Sequence, residues 1–518
     1  MDVRSQMRRS ARFNRDRTAI ITETTTVTFG ESWSRGCRLA NGLAALGVRP
    51  GDRVGGLEDN DLAAADFYVG CAAGGFVRNP LYPRNSPEAH AHMLDHSQCK
   101  VLVVDPPYVD AVRGMEHELA DLHHIIVRDE SYEDWLASFP DTDPNPAIDE
   151  NDWFIIRHSG GTTGRAKGVG YTHRTWINAS RDWFYPFPPV ETLDVIGHAG
   201  PISHGSGYFF LPGWMAGAAN LLVNGFDPVK VLDLMERHGV THIFLVPTMV
   251  NAMVRHPSAA GRDWSRLKCL NIAGSPITDD TALLAREVFG ERLWQLYGET
   301  EALPAVAMSP SEWFGKWPGS TPLRAAGRLM PWSELEICDP DTNKVLEVGE
   351  EGEIVLRTDG QMLGFWDEPE LTASRVLDRG DGRPWVLTGD IGRLDENGYL
   401  YVLDRKDDMI ISGGFNIWPA ELESVLTDHP AVVEAAVFGV PHQRWGETPF
   451  AHCQVDGTTA VTEDELVQLC ATTLGSCKKP SGVVLSTDPL PHSPVGKLMR
   501  KLLREPYWSG HERRVAGS

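Results

Sequence analysis

The chain of 518 residues lacks the marks of several protein classes. It has eight cysteines, and no two stand in C-x-x-C spacing. Neither a zinc ribbon nor a dithiol redox motif is therefore encoded. Lysine and arginine number 48 against 71 aspartates and glutamates, a formal charge of −23. No basic stripe interrupts that balance, which argues against nucleic acid and against an anionic membrane surface. No apolar run reaches bilayer-spanning length, so no integral membrane association is expected. The opening residues, MDVRSQMRRSARFNRDRTAII, carry charge but no apolar signal-peptide core. A reducing, cytoplasmic location is the default these absences leave. Internal repeats and low-complexity segments are also missing.

What is present is the composition of a soluble globular protein, 42% hydrophobic and 23% charged. The length exceeds one ordinary core and predicts two or more domains. Short apolar runs read as strands: KVLVVD (100–105), HIIVRD (124–129), WFIIRHS (153–159), HIFLVP (242–247) and LKCLNIAG (267–274). Segments of helical spacing lie between them. Trp33, Cys37, Ala40, Leu43 and Leu46 recur every three or four residues. DPVKVLDLMERHGV begins with a capping Asp227, has Pro228 at the first helical position and ends near Gly239. Alternation of this kind indicates an α/β fold with largely parallel sheets, whose ligands bind beyond the carboxyl ends of strands. After about residue 330 the texture becomes β-rich, with Gly and Asp-Glu-Asn turns between short strands. Beyond Arg405 it is mixed again, so a boundary is placed near Asp404 to Asp407.

One stretch carries chemistry on its face: IRHSGGTTGRAKGVGYTH, Ile156 to His173. Glycines let backbone N–H groups approach an anion, hydroxyls add donors, and Lys167 supplies a point charge. The nucleotide-binding pattern G-x-x-x-x-G-K-[ST] does not fit, because Ala166 precedes and Gly168 follows Lys167. The alternative is an ordinary glycine-rich surface turn.

Four further stretches decide between these readings: LYGETE (296–301), VLTGDIG (386–392), LDRKDDMIISGGFNIWPAELE (403–423) and LPHSPVGKLMRKLL (490–503). In order and spacing, and over nearly the whole chain, the five resemble the adenylate-forming enzymes. That superfamily includes acyl-CoA synthetases, adenylation domains and luciferases. DDMIISGGFNIWPAELE is most similar to the acyl- and aryl-CoA ligase branch, including the 4-chlorobenzoate and the medium- and long-chain fatty-acid types. The resemblance implies a large N-terminal domain, residues 1–404, of parallel and mixed sheets with helices and a small β-barrel-like part. A small mobile α+β domain, residues 405–518, would carry the catalytic lysine.

The resemblance also implies roles. Thr162, Thr163, Gly164 and Lys167 would hold the β- and γ-phosphates of ATP, although Gly160 and Ala166 replace the family's usual serine and proline. Lys497 would bridge the substrate carboxylate and the α-phosphate, where two anions must be brought together. Thr300 would contact the α-phosphate, and Glu301 would hold Mg²⁺, a cation that needs only one or two carboxylates beside phosphate oxygens. Gly274, Ser275 and Pro276 would lie along adenine, with Tyr297 on its other face and Gly298 next to it. Asp390 and Arg405 would meet the ribose. Asp407 would be the hinge about which the C-terminal domain turns between half reactions. Gly413 and Gly414 would line a pantetheine tunnel, and Lys479 would contact the nucleotide of coenzyme A. His204, Ala273, Ala302 and Leu303 would wall the acyl pocket, whose small and aliphatic residues suit an aryl or medium-chain acid.

For each feature a plainer reading stands beside this one. Lys497 could belong to a solvated basic tail with Arg500, Lys501 and Arg504. Glu301 could be a loop glutamate facing water, and the glycine pair a tight turn. His92 and His96, four apart, could form a metal pair, but a solvated helix face is expected instead. Ser481 stands where relatives often have a further lysine, which leaves open an amine, a carrier-protein thiol or another nucleophile as acceptor. A nucleotide-binding regulator without turnover is the reading from another class. A homodimer is compatible with the sequence.

Overall fold

The apolar runs become strands: Val101–Val104, His124–Val127, Trp153–Ser159, His242–Leu245 and Cys269–Ile272. The computed structural model describes residues 1–114, 119–159, 166–412, 415–475, 478–493 and 498–509, with only the backbone of Asp407, Phe415 and Asn416. The periodic segments become helices. One spans Phe29–Ala45 and is opened by a Thr28–Glu31 capping box. Another spans Pro228–Arg237, and Asp227 accepts from the Lys230 N–H at 2.8 Å, as its sequence position predicts.

By internal contacts the chain forms two compact units, residues 1–335 with 356–386, and residues 336–355 with 387–518. The first unit holds two sheets. In one, strands follow the order Gly364–Phe365, Lys167–Thr172, Trp153–Ser159, Val77–Pro80, Arg53–Leu57, Val101–Val104, His124–Val127. The five from Trp153–Ser159 onward are parallel, and the first two are antiparallel. In the other, a parallel run passes from Leu293–Tyr297 through Cys269–Ile272, His242–Leu245, Val195–His198 and Ala219–Leu222 to Thr18–Ile21. Val306–Met308 and Gly327–Leu329 extend it antiparallel. Parallel strands covered on both faces must be apolar throughout, which is why these runs lack alternation. Aromatic side chains fill much of the core, with Phe154, Trp176, Tyr208, Phe210 and Trp214 in one buried cluster.

The charged N-terminus forms helix Val3–Phe13, capped by Asp2. Its Arg4 is buried, hydrogen-bonded to Asp143 and, at 2.8 Å, to Asn145. A charge of this stretch thus docks a helix.

In the second unit, Phe415–Ile417, Ile410–Ser412, Gly446–Val455 and Val432–His442 form an antiparallel sheet, and Val483–Ser486 joins Gly446–Val455 in parallel. Helices Pro419–Thr427 and Glu463–Leu474 bury Leu422, Val425, Leu466 and Cys470 against it, an α+β arrangement. The β-rich region does not close on itself. Ser333–Cys338, Gly352–Thr358, Trp385–Leu394 and Tyr399–Arg405 follow one another, with Ser333–Cys338 at the end of the order. Closure requires two neighbours for every strand. The expected barrel-like part is therefore an open sheet, and no closed barrel occurs among the described residues. No described helix is long and apolar enough to cross a membrane. The seven described cysteines are free and buried.

Candidate active site

The glycine loop connects two neighbouring antiparallel strands, since Ser159 pairs with Lys167. Thr162, Thr163 and Gly164 lie outside the described residues, but both arms are defined. Lys167 opens its strand with Nζ 5.9 Å from the Phe365 ring centroid. The arms are held from one side by helix Pro87–His96. His92 Nε2 lies 3.1 Å from the Ala166 carbonyl, and His96 Nδ1 lies 3.4 Å from His158 Nε2. Glu368 Oε1 is 3.2 Å from the other His96 nitrogen. Burial, then the neighbouring histidines, pushes the His158 imidazole down to about 3. The helix face expected to be solvated is thus packed against the loop's base. No cluster of three metal-ligating side chains occurs among the described residues.

In the larger sheet, register collects several expected residues at one edge. Leu245 is opposite Ile272, and Ile272 opposite Gln295, so parallel strands end together. Beyond those ends lie Ala273, Gly274, Ser275 and Pro276 from one strand and Gly298, Thr300, Glu301, Ala302 and Leu303 from the next. Gly274 needs its glycine for a φ of +96°, and Gly274 to Pro276 are exposed. At Gly298 a Cβ would come 2.5 Å from Leu303 Cδ2 and 2.9 Å from the Ala302 carbonyl oxygen. Tyr297 closes its strand opposite Val306. The segment between is tied to the glycine hairpin, because the Tyr171 hydroxyl donates to the Thr300 carbonyl. Glu301 is mostly buried, at 9% exposure. Its carboxylate makes no hydrogen bond or ion pair with a described residue.

His204 lies beyond the end of strand Val195–His198, next to His242–Leu245. Its Nδ1 meets Ser203 Oγ at 3.1 Å, and its ring is 4.6 Å from that of Tyr82. Burial, then the charges of Arg157 and Arg78, holds it down to about 3, so the imidazole is neutral.

The second unit carries another group. Asp390 and Arg405 are opposite in register, with Arg405 Nε 2.8 Å from Asp390 Oδ1. The turn before Asp390 is braced. Gly389 N–H donates to Glu353 at 3.0 Å, and Lys406 lies 2.9 Å from the same carboxylate. Asp407 sits in the short helix Lys406–Asp408. Gly413, Gly414 and Lys497 lie outside the described residues. Lys479 is exposed. Ser481 is anchored, its Oγ donating to the Pro449 carbonyl at 2.9 Å.

Sequence reasoning missed the anchoring of the hinge segment. Arg500 is not a solvated tail residue: it clasps Glu423 through Nε at 2.8 Å and Nη2 at 2.6 Å, and reaches Asp408 at 3.4 Å. Arg504 adds a 3.6 Å pair to Asp408. Asp404 accepts from the Ala420 N–H at 2.9 Å, and burial pushes its carboxyl up to about 7. Only the alternation of charge in 404–408 and 500–504 signalled these pairs.

Two sheets with loops gathered at strand ends, together with an α+β unit, define an enzyme of the adenylate-forming class. The chain belongs to the AMP-binding enzyme family: that family matches residues 7–366, and its C-terminal domain matches residues 421–497. A feruloyl-CoA synthase from Amycolatopsis sp is 34% identical over 503 residues, covering 96% of this chain and 97% of its own. A fatty acid–[acyl-carrier-protein] ligase, ScoC, from Streptomyces coeruleorubidus is 30% identical over 508 residues, covering 96% and 95%. The crystal structure of ATP-bound MatB from Rhodopseudomonas palustris superposes with a TM-score of 0.88 at 28% identity, covering 99% of this chain and 100% of that one.

Proposed function

We propose that this chain is an ATP-dependent acid–CoA ligase that activates an aryl or medium-chain aliphatic carboxylate as its acyl-adenylate and then transfers the acyl group to coenzyme A. The observation that carries the reading is the edge where Gly274–Pro276, Thr300 and Glu301 lie together, tied by Tyr171 to the base of the glycine hairpin. A site that joins a carboxylate to a phosphate must neutralise charge and hold both groups in line.

Glu301 fits a divalent cation, because its carboxylate oxygens are unengaged among the described residues and Mg²⁺ takes hard oxygen donors. Bound there, Mg²⁺ would offset phosphate charge. Thr300 and Lys167 orient the triphosphate, Gly274–Pro276 and Tyr297 enclose adenine, and Asp390 with Arg405 holds the ribose. Lys497 steadies the carboxylate against the α-phosphate. Domain rotation about Asp407 then exchanges Lys497 for Gly413 and Gly414 and the thiol of coenzyme A, with Lys479 on its nucleotide. His204, Ala273, Ala302 and Leu303 receive the acyl group.

The test is pyrophosphate release across aryl and aliphatic acids, each with and without coenzyme A. Release that consumes coenzyme A in equal amount supports the ligase. A second reading keeps adenylation but ends on a carrier-protein thiol, an amine or another nucleophile. It is favoured by Ser481, whose hydroxyl is turned to the Pro449 carbonyl where a cation would serve the coenzyme A phosphate. Release with coenzyme A untouched selects it.

A further inference from the structure

We propose that the acid activated here carries a second carboxylate, received at the far end of the acyl pocket by two buried guanidinium groups, Arg78 and Arg157. This rests on the reading of segment 200–210 as a wall of that pocket.

The two arginines share a face of the first unit's smaller sheet. Arg78 is opposite Ile155 in the parallel pair of Val77–Pro80 and Trp153–Ser159. Strand side chains alternate, so Arg157 points to the same side as Ile155 and Arg78. Both are buried, with Arg78 1% and Arg157 6% exposed. Neither forms an ion pair among the described residues. Among the described residues Arg157 Nη1 and Arg78 Nε have no hydrogen-bond partner, and Arg78 Nη2 reaches the Ile202 carbonyl only at 3.4 Å. Their neighbours are aromatic faces. Arg157 lies 4.3 Å from the Tyr208 ring centroid and Arg78 lies 4.4 Å from that of Tyr68. Rings soften a positive charge but do not replace an anion.

The acid whose charge reaches Arg78 is Glu58. It is 4% exposed, its two oxygens have no hydrogen-bond partner among the described residues, and burial pushes it up to about 8, so it is mostly protonated at neutral pH. A buried cation without a counter-ion is costly, and two on one face repel each other. An anion is the missing element, and the surroundings say where it comes from. Ile202, His204 and Tyr208 belong to segment 200–210, and the charges of both arginines are felt at His204. His204 retains accessible surface. It is uncharged, so it adds a hydrogen bond without a third positive charge.

The reacting carboxylate is not this anion. Tyr208 is close enough to Tyr171 for its phenol to be felt there, and the Tyr171 hydroxyl meets the Thr300 carbonyl. Two rings therefore stand between Arg157 and the residue proposed for the α-phosphate. A dicarboxylic acid spans that separation, with one carboxylate at Thr300 and the other on the guanidinium pair.

The test compares acids of equal length, hexanoate with adipate and butyrate with succinate, on the full chain. Binding is read as the shift in melting temperature, and adenylation as pyrophosphate release. The expected result is kcat/KM about tenfold or more higher for the diacid. Arg157→Gln should erase that ratio through a raised KM for the diacid, and Arg157→Lys should restore part of it. A wild-type preference for monoacids overturns the proposal, as does Arg157→Gln lowering both acids equally. If Arg157→Gln does not fold, the wild-type ratio alone decides. Diacid binding without pyrophosphate release supports the guanidinium site and removes adenylation. Release with monoacids alone does the reverse.

Discussion

Arg405 faces Asp390 across an antiparallel strand pair, its Nε 2.8 Å from Asp390 Oδ1, and Asp390 is 6% exposed. The pair fixes the carboxylate proposed above to hold the ribose. Replacing Asp390 with Asn removes the charge while keeping the shape. Hydrogen bonds to charged groups contribute about 1.5–3 kcal/mol, so KM for ATP should rise about tenfold or more. An unchanged KM would remove the ribose role.

Lys497→Met tests the division of labour between half reactions. Adenylation should fall about a hundredfold or more, the scale of losing one transition-state charge contact. Transfer from supplied acyl-adenylate to coenzyme A should be largely spared. Equal loss in both half reactions would contradict the assigned role.

Gly298 has no room for a side chain, since a Cβ would stand 2.5 Å from Leu303 Cδ2. Gly298→Ala forces the segment carrying Thr300 and Glu301 to shift, at an overpacking cost of about 1–3 kcal/mol. Pyrophosphate release should drop more steeply than melting temperature. Release at wild-type rate would show that the position of this segment is not critical.

His96 links His158, at the base of the glycine hairpin, to Glu368. His96→Ala should raise KM for ATP several-fold with a smaller effect on KM for the acid. If both KM values stay at wild-type level, the helix supports the hairpin without positioning it.

Asp404 gives a pH dependence of defined sign. Burial pushes its carboxyl up to about 7, against an ordinary value of about 3.9. The folded state therefore holds a proton that the unfolded state has lost. Stability from this group is full below the ordinary value and is lost as pH rises from there towards 7. Asp404→Asn should gain melting temperature relative to wild type between pH 5 and about 7.5. A difference that is flat with pH would mean that Asp404 is ionised in the folded state throughout.

Much of the architecture was legible because it is local. Strand and helix positions follow from periodicity, and Asp227 caps its helix because a carboxylate next to free N–H groups does so in any fold. The five motifs were readable for the same reason, since each is a contiguous string that carries its backbone geometry and donors together. The barrel expectation failed where local signals end, because closure depends on which strand finds a second neighbour.

The sequence by itself thus determined the α/β order, the family and the residues put forward for chemistry. Tertiary structure alone decided how those residues are supported. Tyr171 and Thr300 are 129 residues apart, Arg500 and Glu423 77, and His96 and His158 62. No periodicity links such pairs. They meet because strand register and helix packing bring their backbones together, and a buried polar group must then take the partners that the fold leaves within reach. Arg78 and Arg157 show the same rule in reverse: register set two cations on one face among aromatic rings, and neither forms an ion pair among the described residues.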